Sequence, residues 1–318
     1  MSILEKLKLF VRIIKNEGKI IDISKSREFS DSFYAAELMR YTHSIEKGLS
    51  IPNTKLGFGH QKQKEMMSLL EKLKNSSVPL CIEARKMAVD SLKQYTEYHI
   101  KKNYTDSVIE EIKAMLETEY TDDASIGGTS CVDKGLIQFN TEEIEDFFKS
   151  RHSVRNFDDT DIDEGLLRKA LMLAQTAPSA CNRQGYRVHI LNRNESNKYA
   201  KSLDGIGGFA DCVNRFIMIT AKLSAYRLDE INQYIVSASM YAAYLTLTLH
   251  TYGIGSCVVQ RPLIYDDVWD ELRTKYKIPR DEQLICLLAA GNLKEKTTVP
   301  KSHRLSEDVM FHYVGEDL

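Results

Sequence analysis

The pattern that most limits how this chain can fold runs from Leu228 to Leu249. Leu228, Ile231, Ile235, Ala238, Ala242, Leu245 and Leu249 recur in alternating steps of three and four residues, the spacing of one face of a helix. Ala, Ser and Tyr fill much of the remaining circumference. A helix apolar around most of its girth is either central or pressed against another chain. The pattern predicts both, with the core on one side and a second copy of the chain on the other.

Around this helix the hydrophobic period changes along the chain. Residues 1 to about 120 read as helices alone. Ile3, Leu4, Leu7, Phe10, Val11 and Ile14 form one amphipathic face, and further helices are expected over Ser32–Glu46, His60–Lys74 and Ile82–Thr118. Gly48 reads as a helix stop. His43 and Glu46, one turn apart, could face the same cleft and lid a site built elsewhere, or be a satisfied histidine beside a surface carboxylate. The stretch Tyr120–Lys134 is rich in Asp, Gly, Ser and Thr and marks a linker. The expected division is therefore a helical extension over 1–135 and a second domain over 136–318.

In that second part helices and strands alternate. Asn140 with Glu143 suggests a capping box, and Asp161 with Glu164 opens another helix. Strands are expected at Tyr186–Ile190, Phe216–Ile219, after Gly253 and at Leu284–Ala290. So few strands do not make a doubly wound parallel sheet. The expectation from these periods is an α+β fold with one long central or interface helix and an all-helical N-terminal region.

Composition narrows the function classes. The 318 residues carry a net charge of −2, which argues against nucleic-acid or anionic-membrane binding, since both need a basic face. Cys81, Cys131, Cys181, Cys212, Cys257 and Cys286 show no C-x-x-C pair and no zinc or iron–sulfur spacing, so no metal is expected and the cysteines read as small buried hydrophobes. The N-terminal MSILEKLKLFVRIIKNEGK places Glu5, Lys6 and Lys8 inside what would have to be an apolar signal core, so a cytoplasmic location is expected. Gly253-x-Gly255 lacks the strand before and the helix after that a dinucleotide fingerprint requires. No P-loop, H-E-x-x-H or G-x-S-x-G occurs.

Three separated segments remain. Arg151-His152-Ser153-Val154-Arg155-Asn156-Phe157 sets two cations and two further hydrogen-bonding side chains past a short helix. Ala177-Pro178-Ser179-Ala180-Cys181-Asn182-Arg183-Gln184 is a turn-rich loop, and Pro300-Lys301-Ser302-His303-Arg304 is basic. With Gly253-Ile254-Gly255-Ser256-Cys257 between them, they resemble the FMN-dependent nitroreductase family, whose patterns read R-R-S-x-R-x-F, A-P-S-x-x-N-x-Q-P-W and a G-L-G-T-C turn before a final basic residue. The resemblance spans about residues 145 to 312 and implies that family's FMN-binding fold, a central, mainly antiparallel sheet flanked by helices.

The resemblance implies roles. Arg151, with Lys301 or Arg304, would clamp the FMN phosphate, and His152 and Ser153 would support it by hydrogen bonds. Arg155 would sit near N1 and the C2 carbonyl, where a cation stabilises the reduced ring. Pro178, Ser179, Asn182 and Gln184 would approach the flavin from the partner subunit of a homodimer. Val258, Val259, Gln260 and Arg261 would form the turn that packs on the ring. No acid, base or nucleophile stands out, as expected where NAD(P)H passes hydride to flavin N5 and a small electron-poor acceptor then takes it, a ping-pong oxidoreductase. Gly185-Tyr186 replaces the family's Pro-Trp, which implies a looser loop with a smaller ring. The alternatives are a flavin-binding or flavin-remodelling protein without NAD(P)H turnover, and a non-flavin helical scaffold.

Overall fold

A computed structural model of the chain describes residues 30–118, 125–133, 135, 139–201, 203, 205, 206, 208–259 and 267–315, together with 3, 4, 6, 7, 10, 11, 14, 18 and 21. Helices α1 (Asp31–Ser50), α2 (His60–Leu73), α3 (Pro79–Ile100) and α4 (Ser107–Leu116) come first. After α5 (Thr141–Ser150) and α6 (Glu164–Ala174) the elements alternate: β1 (Tyr186–Leu191), α7 (Arg193–Ala200), β2 (Arg215–Lys222), α8 (Gln233–Thr251), β3 (Ile254–Val259), α9 (Asp267–Lys275), β4 (Glu282–Asn292) and α10 (Glu307–Met310).

The strands form one antiparallel sheet in the order β1-β2-β4-β3. Strand β2 explains why both central strands read as unbroken apolar runs. Ile217, Ile219 and Ala221 enter the core under α8 and α6, while Phe216 and Met218 enter a second core on the opposite face. Successive side chains of a strand point to opposite faces, so a strand covered on both sides must be apolar throughout. Helix α8 buries Ala238, Tyr241, Ala242, Leu245 and Leu249 against the sheet, and leaves Ile235, Val236, Met240 and Tyr244 about two-fifths exposed on its outer side.

Four local expectations give way. Helix α8 starts at Gln233 rather than Leu228, because Glu230 organises a turn before it: its carboxylate accepts from Arg227 N and its carbonyl from Gln233 N. Leu228 and Ile231 lie outside the helix and are exposed. Asp163, not Asp161, caps α6 by accepting from Leu166 N; Asp161 accepts from Asn214 Nδ2 instead. Asn140 does cap α5, but toward Glu142 N, without the reciprocal Glu143 contact of a capping box. Gly48 stops nothing, for α1 runs on to Ser50. A Cβ at Gly48 would sit 2.0 Å from the Phe58 ring, so this glycine serves close packing.

The helical region has its own core, built from residues of α1 to α4 such as Leu38, Ile45, Leu70, Leu92 and Ile109. Ala36 faces the other way and joins the core beneath α8. Residues 125–129 are tied down by side chains of α1 and α3: Gly128 N donates to Glu46 Oε1 at 3.0 Å, and Ile126 N to Asp90 Oδ2 at 2.7 Å. Residues 120–124 and 134 of the expected linker lie outside the described residues. The amphipathic N-terminal face is helical at its described positions, with Ile3, Leu4, Leu7, Phe10, Val11 and Ile14 all exposed. Cys81, Cys257 and Cys286 are buried as expected, whereas Cys131 is exposed and Cys181 and Cys212 are half-buried.

Candidate functional site

The segment after α5 is laid along the edge of the sheet. Val154 N donates to Ser256 O at 3.0 Å, Ser153 and Ser256 form a parallel bridge, and Asp158 N donates to Asn292 O at 2.9 Å. Val154 and Phe157 are buried in the second core. They can approach this closely because β3 and β4 present glycines there: a Cβ at Gly255 would lie 3.2 Å from Val154 Cβ, and one at Gly291 2.5 Å from Phe157 Cβ. Anchoring Val154 and Phe157 leaves Arg151, His152 and Ser153 half-buried at the rim and Arg155 exposed.

The rim meets the C-terminal segment. Lys149, Arg151, His152 and Ser153 line one cavity of about 410 Å³ with Lys301, Ser302, His303 and Arg304. A second, of about 370 Å³, shares Arg151 and His152 and adds His250, Ser256, Lys294, Glu295 and Lys296. Segments far apart in the sequence, 149–153 and 301–304, are thus brought to one groove. Among the described residues no carboxylate lies within ion-pair distance of Arg151, Arg155, Lys301 or Arg304, while Lys149 is paired with Glu145. On a chain of net charge −2 this is a local positive field, and guanidinium and ammonium donors in that arrangement suit a phosphate or another polyanion. His250 responds to it. Burial, reinforced by the charges of Arg151 and His152, holds its imidazole below the ordinary 6.5, and its Nε2 shares a hydrogen bond with Ser150 Oγ at 2.7 Å.

Arg155 does not line either cavity. Its carbonyl accepts from Cys212 Sγ at 3.4 Å, and its charge acts against the burial that pushes the Cys257 thiol above 9.0. Val259 pairs with Leu287 in the sheet, and Gln260 and Arg261 lie outside the described residues. Pro178, Ser179, Asn182 and Gln184 stand apart from the cationic groove, over the start of α8. There Ala180 N donates to Ser237 Oγ at 3.1 Å and Gln184 N to Ser179 Oγ at 3.0 Å.

This loop is not loose. Cys181, Asn182 and Gln184 all adopt left-handed backbone, φ 51°, 50° and 46°, each at a cost on the order of 1 kcal/mol for a residue with a side chain. Arg183, which the sequence reading passed over, holds them. Its side chain is buried and bidentate to Glu230 at 2.8 and 2.6 Å, with a further bond to Ala225 O. Burial works to raise Glu230, but the hydrogen bonds of Arg183 and of the Arg227 backbone N–H, with the Arg183 charge, outweigh it and keep the carboxyl below 4.5. Gly185 belongs here too, since a Cβ would meet Tyr226 Oη at 2.6 Å. Tyr186 is core, stacked on Tyr241 at 4.2 Å. His43 and Glu46 line neither cationic cavity; Glu46 accepts from Ser91 Oγ and Gly128 N. His250 and Ser256, which line the second cavity, carry no local pattern that distinguishes them from helix-end and strand residues.

An antiparallel sheet crossed by one long helix, with a cationic groove at its edge, sets the class: an α+β protein with a cationic groove beside β3. The resemblance within that edge is particular, because residues 148–207 match the model of the nitroreductase family. That span contains both the Arg151–Phe157 and Pro178–Gln184 segments. Among solved structures the chain is similar to an FMN-dependent nitroreductase from Clostridium difficile R20291, at 24% identity over 54% of this chain and 98% of that one, TM-score 0.45. It is also similar to a nitroreductase-like protein from Streptococcus mutans, at 17% identity over 55% and 100%, TM-score 0.48. A third is a protein described as a nitroreductase, in complex with FMN, from Desulfovibrio desulfuricans, at 14% identity over 56% and 100%, TM-score 0.47. No curated protein matches the chain. The chain resembles the nitroreductase family.

Proposed function

We propose that this chain is a homodimeric FMN-dependent oxidoreductase in which a helical extension, residues 1–135, is appended to a flavin-binding domain, residues 136–318. The observation that carries the reading is the groove in which Arg151, Lys301 and Arg304 gather without a carboxylate partner among the described residues. The donor set fits the phosphate of FMN: cations from two segments, the Ser153 hydroxyl and the His152 ring. FMN, when bound, supplies the two-electron chemistry that moves hydride from NAD(P)H to a small electron-poor acceptor. Arg155, exposed at the same edge, would place its charge toward the ring, and the β3 end at Val258–Val259 would pack against it. Ser179, Asn182 and Gln184 would come from the second subunit, held in register by the Arg183–Glu230 pair. The exposed apolar stripe of α8 supports that dimer. No described helix is long and apolar enough to cross a membrane, and a cytoplasmic location is part of the proposal.

Titration of the purified chain with FMN and with riboflavin, followed by quenching of flavin fluorescence, tests the site. FMN should bind more tightly than riboflavin by about a hundredfold, and Arg151→Ala with Arg304→Ala should remove most of that preference, since charge-assisted bonds to phosphate are worth about 1.5 to 3 kcal/mol each. Equal affinity for the two flavins would sink the phosphate assignment. Anaerobic bleaching by NADH or NADPH then separates an oxidoreductase from a flavin-binding protein without turnover.

A further inference from the structure

The helical region does more than pack against the sheet region. Between them lies a cavity of about 550 Å³, larger than either cationic cavity and walled by different residues. Met39 of α1 and Leu80, Ala84 and Met87 of α3 form one side; Leu171 and Met172 of α6 form the other. The stacked rings of Tyr186 and Tyr241 also line it. Thioether side chains are unbranched and polarisable and adapt to irregular apolar ligands.

One part of the lining is charged in an uneven way. Arg183 is neutralised by Glu230. Arg187 is half-buried and donates through Nη1 to Gln184 O at 3.1 Å and Tyr186 O at 2.6 Å, which orients the guanidinium without cancelling its charge. No ion pair joins it to Glu83, the carboxylate in the lining, or to any other described acid. An unneutralised guanidinium beside an apolar cavity of this size matches a ligand with an apolar body and one anionic head.

We propose that this cavity is a second ligand site, formed jointly by the helical and sheet regions, that takes an amphipathic organic anion with its acidic head on Arg187 and its apolar body among Met39, Met87 and Met172. The site does not depend on flavin. It does touch the flavin reading at one point: Gln184 lines the cavity and ends the loop that the proposed dimer presents to the partner's cofactor. A bound anion would therefore contact that loop from behind.

Fluorescence titration of the full chain with anilinonaphthalene sulfonate, with no flavin added, tests the site directly. The neutral N-phenylnaphthylamine serves as a probe lacking the charge. The expected result is saturable binding of one sulfonate probe per chain. Met172→Trp narrows the cavity at a position already 56% exposed, where the fold tolerates bulk, and should weaken both probes about tenfold. Arg187→Met should weaken the sulfonate about tenfold while leaving the neutral probe unchanged. Absence of saturable binding, or wild-type affinity in Met172→Trp, overturns the site, and equal loss of both probes in Arg187→Met overturns the anionic head. Because FMN is absent from every arm, these outcomes are read separately from the flavin titration.

Discussion

At the scale of single residues, the buried polar groups that matter are those whose partners come from other strands. His189 of β1, Thr220 of β2 and Glu282 of β4 meet inside the sheet, with His189 Nε2 and Thr220 Oγ1 each 2.6 Å from Glu282 Oε2. Burial works to raise the Glu282 carboxyl, but the hydrogen bonds and charge of His189, the Thr220 bond and the Lys222 charge outweigh it and hold the group below its ordinary 4.5. A carboxyl lowered on folding contributes stability that is complete above 4.5 and lost as pH falls through the folded value. Thr220→Val removes one donor and should cost about 1.5 kcal/mol at pH 7. Urea unfolding at pH 7 and again well below 4.5 checks this: the deficit should shrink in acid, and a deficit independent of pH would show that the carboxylate is not what Thr220 stabilises. None of these partnerships was legible beforehand, because a hydrogen bond between residues 62 or 93 apart leaves no local spacing. The same holds for Arg183, an unassigned position inside a motif until Glu230 is seen against it. Arg151 and Ser153 stand in an order of residue types that a known family shares, so the sequence alone can single them out as candidates.

Among the elements, α8 was anticipated best and still moved. Its three-and-four periodicity survives from Ile235 onward, but Glu230 and the left-handed Asn232 start it one turn late. Periodicity reports which side chains would share a helix face if a helix formed; it does not report where a competing turn stops it. The outer stripe of α8 makes the dimer testable. Met240 and Tyr244 are 41% and 39% exposed in the single chain, so Met240→Glu with Tyr244→Glu should leave the fold intact. The pair should convert the protein to monomers in sedimentation or light-scattering measurements, and FMN affinity should fall with it. A variant that stays dimeric would move the interface elsewhere. Strands β2 and β4 were also anticipated from their apolar runs, whereas the shift in register between Ile219 and Thr220 depends on pairing and had no signature.

For the molecule as a whole, the two regions meet along α1, and Ala36 marks the seam. It is 3% exposed and, unlike its neighbours Ala35, Leu38 and Met39 in the helical core, belongs to the core beneath α8. Ala36→Glu would force a carboxylate into that seam at a cost on the order of 3 kcal/mol. Trp269, the single tryptophan, lies in the second sheet core, while far-UV circular dichroism is dominated by helices. In the wild-type chain the two signals should report one melting transition, and in Ala36→Glu they should separate. Separate transitions in the wild type would mean that the seam does not couple the regions.

The alternation of hydrophobic period determined the α+β class and the long helix, and the order of the motifs singled out the cationic residues, because each is a property of neighbouring positions or of residue type; the antiparallel sheet was implied only by the family resemblance. Tertiary structure alone decided that Arg151 meets Arg304 in one groove, that Pro178–Gln184 stands away from it in the same chain, that Gly255 and Gly291 are spaces for Val154 and Phe157, and that α1 and α3 enclose a cavity over β1. Those are distances between segments far apart in the chain. They follow from how the two cores pack, not from any local run of residues.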